Sequence, residues 1–243
     1  MTNDEWAEAE ARLQGRDDVT LTVMAGRGLC RNRNHALDVA VKEMGDKLED
    51  VVFVIADDDE HIDTEAFARI RAAYTRWSKL DVGLFRVRSS EDDSYFKSYP
   101  KALMAWDRHP RSYYPCSLEM TFRSRVYHAG LRFDERFGLG SDQLCAGEEE
   151  VFICDARRKG LRVVIIPDDI ASTDPVTTGD KVLDAKMLRS KGAVYAYSLG
   201  LMGAKLRALR EAIGLAVRNR RHPWPILKEL LWGIKYVRTW NKG

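Results

Sequence analysis

The sequence lacks the features that mark several large classes of protein. Its four cysteines show no CxxC spacing, which argues against a small disulfide-stapled framework and for free, buried thiols in a reducing cytoplasmic compartment. The longest uncharged stretch, residues 192–204, is shorter than the ~20 residues that a membrane span needs. No repeat and no Ser-His-Asp pattern is visible, and we expect no signal peptide in the acidic N-terminal residues. With 45% hydrophobic and 31% charged residues, the chain is typical of a globular protein.

The net charge is small but unevenly distributed. The 243 residues carry a formal charge of +2, whereas residues 203–243 hold ten Lys and Arg against two Asp and Glu, a local charge of +8. Residues 1–202 therefore carry −6. We predict an acidic domain over residues 1–202 and a basic, amphipathic helical tail over residues 203–243. The acidic domain argues against a nucleic-acid partner.

Apolar periodicity predicts an alternation of helices and strands. Helices are expected at 4–14, 35–45, 63–77 and 148–160, and strands at 19–24, 51–56, 82–88, 117–123 and 161–167, the last ended by a proline. This alternation is typical of an α/β, Rossmann-like fold with a mostly parallel sheet flanked by helices. Ligands of such sheets bind at the carboxyl ends of the strands. The longest interruption, residues 89–116, is predicted to be a loop region.

Three consecutive aspartates, Asp57, Asp58 and Asp59, directly follow the apolar segment VVFVIA. Crowded carboxylates repel one another, and each raises the pKa of the others unless a cation neutralises them. Oxygen ligands of this kind suit Mg²⁺ or Mn²⁺, which usually bridge to the phosphates of a substrate. The alternative is a solvated turn or helix cap, because aspartate is common after strands.

A glycine-containing loop with three arginines, GRGLCRNRN, precedes the second predicted helix. Arg27, Arg31 and Arg33 could neutralise a diphosphate, and the N–H groups at the start of the helix could bind the same anion. The alternative is a surface loop in which Asn32 or Asn34 caps the helix. An arginine cluster and an acidic cluster, each beside a strand end, together favour a site for a metal and a nucleoside diphosphate.

A second acidic group, Glu148 to Glu150, opens a predicted helix after Gly147. Carboxylates in a first helical turn gain about 0.3–1 kcal/mol each from the helix dipole, so a structural role is one explanation. Three in a row exceed what capping requires. A desolvated carboxylate beside its neighbours would have the raised pKa that a general base needs.

In their order and spacing, these motifs resemble the family 2 glycosyltransferases of the GT-A fold, specifically the bacterial capsule and surface-polysaccharide type. The matching stretches span about residues 19–181 and are GRGLCRNRNHAL, VFVIADDDE, SLEMTFRSRVYHAGLRFDERFGLGS, GEEEVFICDARRKGLRVVIIP and DPVTTG. The resemblance implies an inverting transferase that uses a nucleoside-diphosphate sugar, such as a UDP-hexose, and Mg²⁺ or Mn²⁺. The acceptor would be a hydroxyl of a glycan or of a lipid-linked molecule.

The resemblance also implies roles for individual residues. Asp57 and Asp59 are the outer positions of a DXD motif that holds ribose and metal, and Arg33 and Asn34 match the RN pair after the nucleotide loop. The residues expected to bind the donor are Arg27, Arg31, Arg33, Asn34, Asp57 and Asp58. Glu149 falls where the family places its base, in a register fixed by the RRKG that follows. Glu148 would orient the acceptor hydroxyl, and the FGLG segment would form part of the wall around the sugar.

The chain departs from the family pattern in two places. The first strand, which usually carries residues that clasp the nucleotide base, is expected ahead of VTLTVM, where this chain has an acidic helix instead. Where such enzymes often carry a metal-binding histidine, this chain reads STDP. Asp174 in that segment is either an oxygen ligand of the metal or a turn residue.

The basic tail contains two amphipathic segments separated by HPWP. Leu206, Leu209, Ile213 and Val217 form an apolar stripe bordered by arginines. Such a stripe suits an anionic membrane surface, which would place the protein at the inner face of the cell membrane. The alternative is that the stripe packs on the catalytic domain.

Two other functions fit parts of the sequence. A degenerate, non-catalytic GT-A domain that binds a partner or a membrane is suggested by the absent first strand. A sugar nucleotidyltransferase would also combine carboxylates with a basic loop. It would, however, carry a glycine-rich loop and a lysine at its first strand, and these are absent.

Overall fold

The computed structural model describes residues 3–48, 51–57, 60–92, 94–95, 97–110, 112–174 and 183–240. Its helices are α1 (Asn3–Leu13), α2 (Leu29–Met44), α3 (Ala66–Arg76), α4 (Ser124–His128), α5 (Glu148–Arg158), α6 (Ala185–Asn219) and α7 (Pro223–Trp240). Its strands are β1 (Val52–Val54), β2 (His61–Ile62), β3 (Val82–Ser89), β4 (Met104–Ala105), β5 (Met120–Arg123) and β6 (Val163–Thr173). The predicted helices and most predicted strands are therefore present.

These strands form one mixed sheet in the order β1-β5-β3-β6-β2, with β4 also paired to β6. In the described part of the chain, β3 and β6 are the one parallel pair, and the other four pairings are antiparallel. The α/β class is confirmed. The prediction of a mostly parallel sheet is wrong.

Among the predicted strands the difference comes from β5, which the chain reaches through the long segment 89–116. β5 inserts between β1 and β3 and is antiparallel to both of them. Because β3 is in turn parallel to β6, the strands β1, β3 and β6 all run in the same direction. Their carboxyl ends share one edge of the sheet, as the alternation of elements predicts, and the beginning of β5 lies at that edge too.

Alternate residues of β3 face two separate cores. Val82 and Leu84 pack in a core shared with α2 and α5, whereas Phe85 and Val87 pack in a core shared with α3. All four side chains are fully buried. The sheet is thus covered on both faces, which holds α2 and α5 over one face.

Residues 19–24, predicted as a strand, form neither a strand nor a helix. The Thr22 hydroxyl lies 2.9 Å from Nε2 of His35 on α2, and Val23 is 65% exposed. No strand among the described residues pairs with this segment, so alternating side chains alone do not make it a strand.

The strand predicted to end at Pro167 continues to Thr173 as β6. The β3–β6 register shifts between the pairs Leu84–Ile165 and Arg86–Asp169. The proline lies in this irregular stretch, where its missing N–H is tolerated as in a β-bulge.

The C-terminal residues form the helices α6 and α7, as the two amphipathic segments predict. α6 runs through position 203 but is broken at Gly200, whose backbone angles are not helical. The parts before and after Gly200 fold back on each other, because Nζ of Lys191 lies 3.4 Å from Oε1 of Glu211. A Cβ on Gly192 would overlap the Leu230 carbonyl, and a Cβ on Gly233 would overlap the Arg189 carbonyl, so the two helices cross at glycines. Within the described ranges, no helix combines the length and the apolarity that a bilayer crossing requires.

Candidate functional site

Arg33 lies on the buried face of α2. Cys30, Arg33, Asn34 and Leu37 are spaced three or four residues apart, so they share the side of the helix that faces the core, and all four are buried. The guanidinium also lies over the ring of Phe133, 5.5 Å from its centroid. Helical spacing therefore turns one of the three predicted donor-binding arginines into the protein, toward the strand ends.

The Arg33 guanidinium joins carboxylates from two elements. Nη2 donates to Oδ1 of Asp57, just after β1, at 3.0 Å. Nη1 donates to Oε1 of Glu149 at 3.4 Å and lies 3.7 Å from Oε1 of Glu148, both in the first turn of α5. We name these four residues the Arg33 cluster. Arg33, Asp57 and the acidic start of α5 thus meet in one place.

Asp57 is also held from the side of β5. Oγ of Ser117, in the 3₁₀ turn before β5, donates to Oδ2 of Asp57 at 3.1 Å. Sequence reasoning missed Ser117, because a parallel β5 would begin at the opposite edge of the sheet from the end of β1. The antiparallel insertion of β5 brings the two together.

The Arg33 cluster sets three carboxylates against one guanidinium, largely away from water. Burial, and then the charge of Glu149, raises the pKa of Glu148 to about 8. Burial likewise raises the pKa of Glu149, although Arg33 offsets part of the effect. One residue further along, burial and the charge of Glu149 raise the pKa of Glu150 to about 7. A carboxylate with a raised pKa is the type of group that accepts a proton near neutral pH.

We expect Glu148 to make the stability of the protein fall as pH rises. Its pKa rises from an ordinary 4.5 to about 8 in the fold. Between these values the folded state holds a proton that the unfolded state has lost. The free energy of unfolding should decrease across this window by up to about 1.4 kcal/mol per pH unit. Glu148→Gln should flatten this slope.

Urea unfolding of the wild type and of Glu148→Gln, at several pH values between 5 and 8, measures the difference. Glu135→Gln is the matched control, because it makes the same change at an exposed position outside the Arg33 cluster. It should keep the slope of the wild type. Parallel curves for the wild type and Glu148→Gln would show that Glu148 is ionised throughout.

The FGLG segment covers one side of the Arg33 cluster. It accepts a backbone hydrogen bond from Leu29 at the start of α2, at 2.8 Å. A Cβ on Gly138 would lie 3.1 Å from Cδ of Glu148, and a Cβ on Gly140 would lie 2.9 Å from Cα of Gly28. The segment therefore contacts both the arginine loop and the acidic start of α5.

Gly140→Ala should lower the free energy of unfolding by about 2–4 kcal/mol, because it adds a backbone clash to the strain of a left-handed conformation. The φ angle of Gly140 is +83°. Gly130 is the control, because its φ is +75° and no heavy atom lies within 4 Å of the place that a Cβ would take. Gly130→Ala should lose about 1 kcal/mol. Equal losses in thermal or urea unfolding would argue against the close approach to Gly28.

The other residues predicted to bind the donor lie around the cluster. Asn34 donates Nδ2–H to the Phe133 carbonyl at 2.9 Å and accepts from the Phe133 N–H at 2.8 Å, which fixes the FDER loop. Arg27 is exposed. Arg31 is exposed as well and pairs with Glu135 at 2.9 Å. A donor-binding role for these three residues stays a prediction.

Two of the three consecutive aspartates, Asp58 and Asp59, lie outside the described residues. Asp57 offers the oxygens that Mg²⁺ and Mn²⁺ prefer, but both already accept hydrogen bonds. Asp174 is exposed after β6 and accepts a hydrogen bond from Ser90 at 2.6 Å. In the part of the chain that the structure describes, no group of three His, Cys, Asp or Glu could hold a metal ion. The metal-binding role of Asp59 stays a prediction.

A second buried ionic group was not predicted. Lys97 pairs with the fully buried Glu119 at 2.5 Å, and the hydroxyls of Tyr99 and Tyr113 donate to the same carboxylate at 2.8 and 2.5 Å. The feature of the sequence that could have indicated this group is the alternation of aromatic and charged residues in 89–116. Which of these residues pair depends on the fold of the segment.

No protein-family model and no curated protein matches the chain. Among solved structures, the chain is similar to the crystal structure of TarS residues 1–349 from S. aureus, at 14% identity and a TM-score of 0.54. The match covers 81% of this chain and 53% of that one, so this chain spans about half the length of the TarS 1–349 chain. At this identity the likeness concerns the fold alone. It supports a glycosyltransferase-like α/β fold.

Proposed function

We propose that this protein is an inverting glycosyltransferase. It would move a sugar from a nucleoside diphosphate, such as a UDP-hexose, to a hydroxyl of a glycan or lipid-linked acceptor in surface-polysaccharide synthesis. The observation that carries the proposal is the Arg33 cluster, in which one guanidinium joins Asp57 after β1 to Glu149 at the start of α5. The order of the motifs and the glycosyltransferase-like fold support the same function.

In the proposed reaction Glu149 is the base. The acceptor hydroxyl attacks the anomeric carbon from the face opposite the diphosphate, and Glu149 takes its proton. The bond between Nη1 of Arg33 and Oε1 of Glu149 orients the carboxylate. Glu148, beside it, would orient the acceptor hydroxyl. A single displacement of this kind needs no covalent nucleophile.

On the donor side, Arg27 and Arg31 would meet the negative charge that appears on the departing diphosphate. Asp57 and Asp58 would contact the nucleotide. Asp59 with Asp57, and Asp174 as a further candidate ligand, would hold Mg²⁺ or Mn²⁺. A bound divalent ion would neutralise the leaving group further.

The proposal is tested by incubating the protein with a panel of UDP-, GDP-, CDP- and dTDP-sugars and Mn²⁺ or Mg²⁺, and measuring the nucleoside diphosphate released. One donor should be hydrolysed slowly, and faster once an acceptor glycan is added. Binding of a nucleoside diphosphate without turnover of any donor would indicate a non-catalytic domain. In a parallel incubation with nucleoside triphosphates and sugar phosphates, synthesis of a sugar nucleotide would indicate a nucleotidyltransferase.

A further inference from the structure

The outer face of α6 carries an exposed apolar stripe. Met202, Leu206, Leu209, Ile213 and Val217 are between 45% and 82% exposed. Because they are three or four residues apart, they form one line along the helix. We name these five residues the α6 stripe. It is unusual, since a surface helix normally presents polar residues on the side away from the core.

The opposite face of α6 is already buried inside the helical tail. Ala204, Ala208 and Ala212 are fully buried there, in one core with Leu188 from the part of α6 before Gly200 and with Leu230 of α7. Small residues let the neighbouring helices approach closely. The part of α6 after Gly200 thus has two apolar faces, and the core of the tail uses only the face built from alanines. The α6 stripe does not pack on the catalytic domain, which was one of the two expectations from the sequence.

The border of the α6 stripe is positive. The exposed cations between residues 202 and 221 are Lys205, Arg210, Arg218, Arg220 and Arg221. The one acidic residue in this range is Glu211, which is partly buried and pairs with Lys191 at 3.4 Å. The outer face of α6 therefore combines an apolar line with a cationic border.

We propose that the α6 stripe docks on an anionic lipid bilayer, with the part of α6 after Gly200 lying in the plane of the surface. The apolar side chains would enter the boundary between headgroups and acyl chains, and the flanking cations would meet anionic headgroups. A second copy of this chain would bring the same cations against one another, so its charge complementarity is poor. A nucleic acid would match the cations but leave the apolar line exposed. The proposal does not depend on the transferase activity.

Cosedimentation of the full chain with vesicles tests the proposal. Vesicles of phosphatidylcholine with phosphatidylglycerol should bind the protein at least about tenfold more tightly than vesicles of phosphatidylcholine alone, and salt should weaken the binding. The variant Leu206→Gln/Leu209→Gln/Ile213→Gln should weaken binding by about tenfold or more. The variant Arg210→Gln/Arg218→Gln/Arg220→Gln should lose the preference for anionic vesicles.

The matched control is Arg71→Gln/Lys79→Gln/Lys101→Gln, which removes three exposed charges elsewhere and should bind as the wild type does. Thermal unfolding followed by circular dichroism checks that every variant is folded. Equal binding to both kinds of vesicle, or to neither, would overturn the proposal. Two other outcomes would also overturn it. One is self-association of the protein that the variant Leu206→Gln/Leu209→Gln/Ile213→Gln abolishes. The other is charge-dependent binding to RNA without binding to vesicles.

Discussion

Glu149→Gln should leave donor binding close to that of the wild type and lower sugar transfer by about 10²–10⁴-fold. Glutamine keeps the size of the side chain and an oxygen that can accept from Nη1 of Arg33, so the site should keep its shape. An amide cannot take the proton of the acceptor hydroxyl, and the chemical step should therefore slow. Transfer at saturating donor measures this step, and calorimetric titration with the nucleoside diphosphate measures binding.

Glu150→Gln is the control for this substitution. It removes the same charge one residue further along α5, outside the Arg33 cluster. Transfer by this variant should stay near the rate of the wild type. If Glu149→Gln transfers sugar as fast as Glu150→Gln, then Glu149 is not the base.

Arg33→Met should lower the free energy of unfolding at pH 8 by about 3–5 kcal/mol, because it leaves buried carboxylates without their shared countercharge. Methionine fills about the same space as the aliphatic part of the arginine side chain. The decrease in the free energy of unfolding should therefore reflect the lost charge more than lost packing. The loss should shrink at pH 5. Burial already raises the pKa of Glu148 and of Glu149, and both can take up protons in the folded variant.

Arg31→Met is the matched control, two residues earlier on the same helix. Arg31 and its partner Glu135 are about half exposed, so their ion pair should contribute only about 0–1 kcal/mol. Urea unfolding of the two variants at both pH values gives the comparison. Similar losses for Arg33→Met and Arg31→Met would mean that Arg33 does not hold the carboxylates together.

The local sequence pattern was sufficient to predict most helices and strands of the fold. The 3.6-residue periodicity of α2, α3 and α5 and the apolar segments of β1 and β3 predict their positions. The pairing of strands was less predictable, because β5 inserts between β1 and β3 only after a segment of more than twenty residues whose shape the sequence pattern does not define. That insertion, together with the short strands β2 and β4 that pair antiparallel with β6, turns the expected parallel sheet into a mixed one.

The candidate site was also only partly predictable from the sequence. Arg33, Asp57 and Glu149 each belong to a motif with a clear local pattern, and the shared direction of β1, β3 and β6 allows these motifs to meet. Ser117 could not be found, since its contact with Asp57 requires an antiparallel β5. Lys97 was missed for a related reason, because its pairing with Glu119 depends on how the long segment folds back on the sheet.

The helical tail shows a limit of periodicity itself. The α6 stripe is the stronger apolar pattern in the sequence, yet Ala204, Ala208 and Ala212 on the opposite face are the residues buried in the core that is shared with α7. Small side chains at these positions let the neighbouring helices approach closely. Hydrophobicity alone therefore predicts that α6 is helical but not which of its two apolar faces is buried.

Calorimetric titration of the wild type with UDP, GDP, CDP and dTDP, with and without Mn²⁺, tests most directly whether the Arg33 cluster borders a sugar-nucleotide site. One nucleoside diphosphate should bind, and its binding should require Mn²⁺ and be lost in Asp59→Ala but kept in Asp168→Ala, which changes an exposed aspartate of β6. Absence of binding by all four nucleotides, or undiminished binding in Asp59→Ala, would contradict the account.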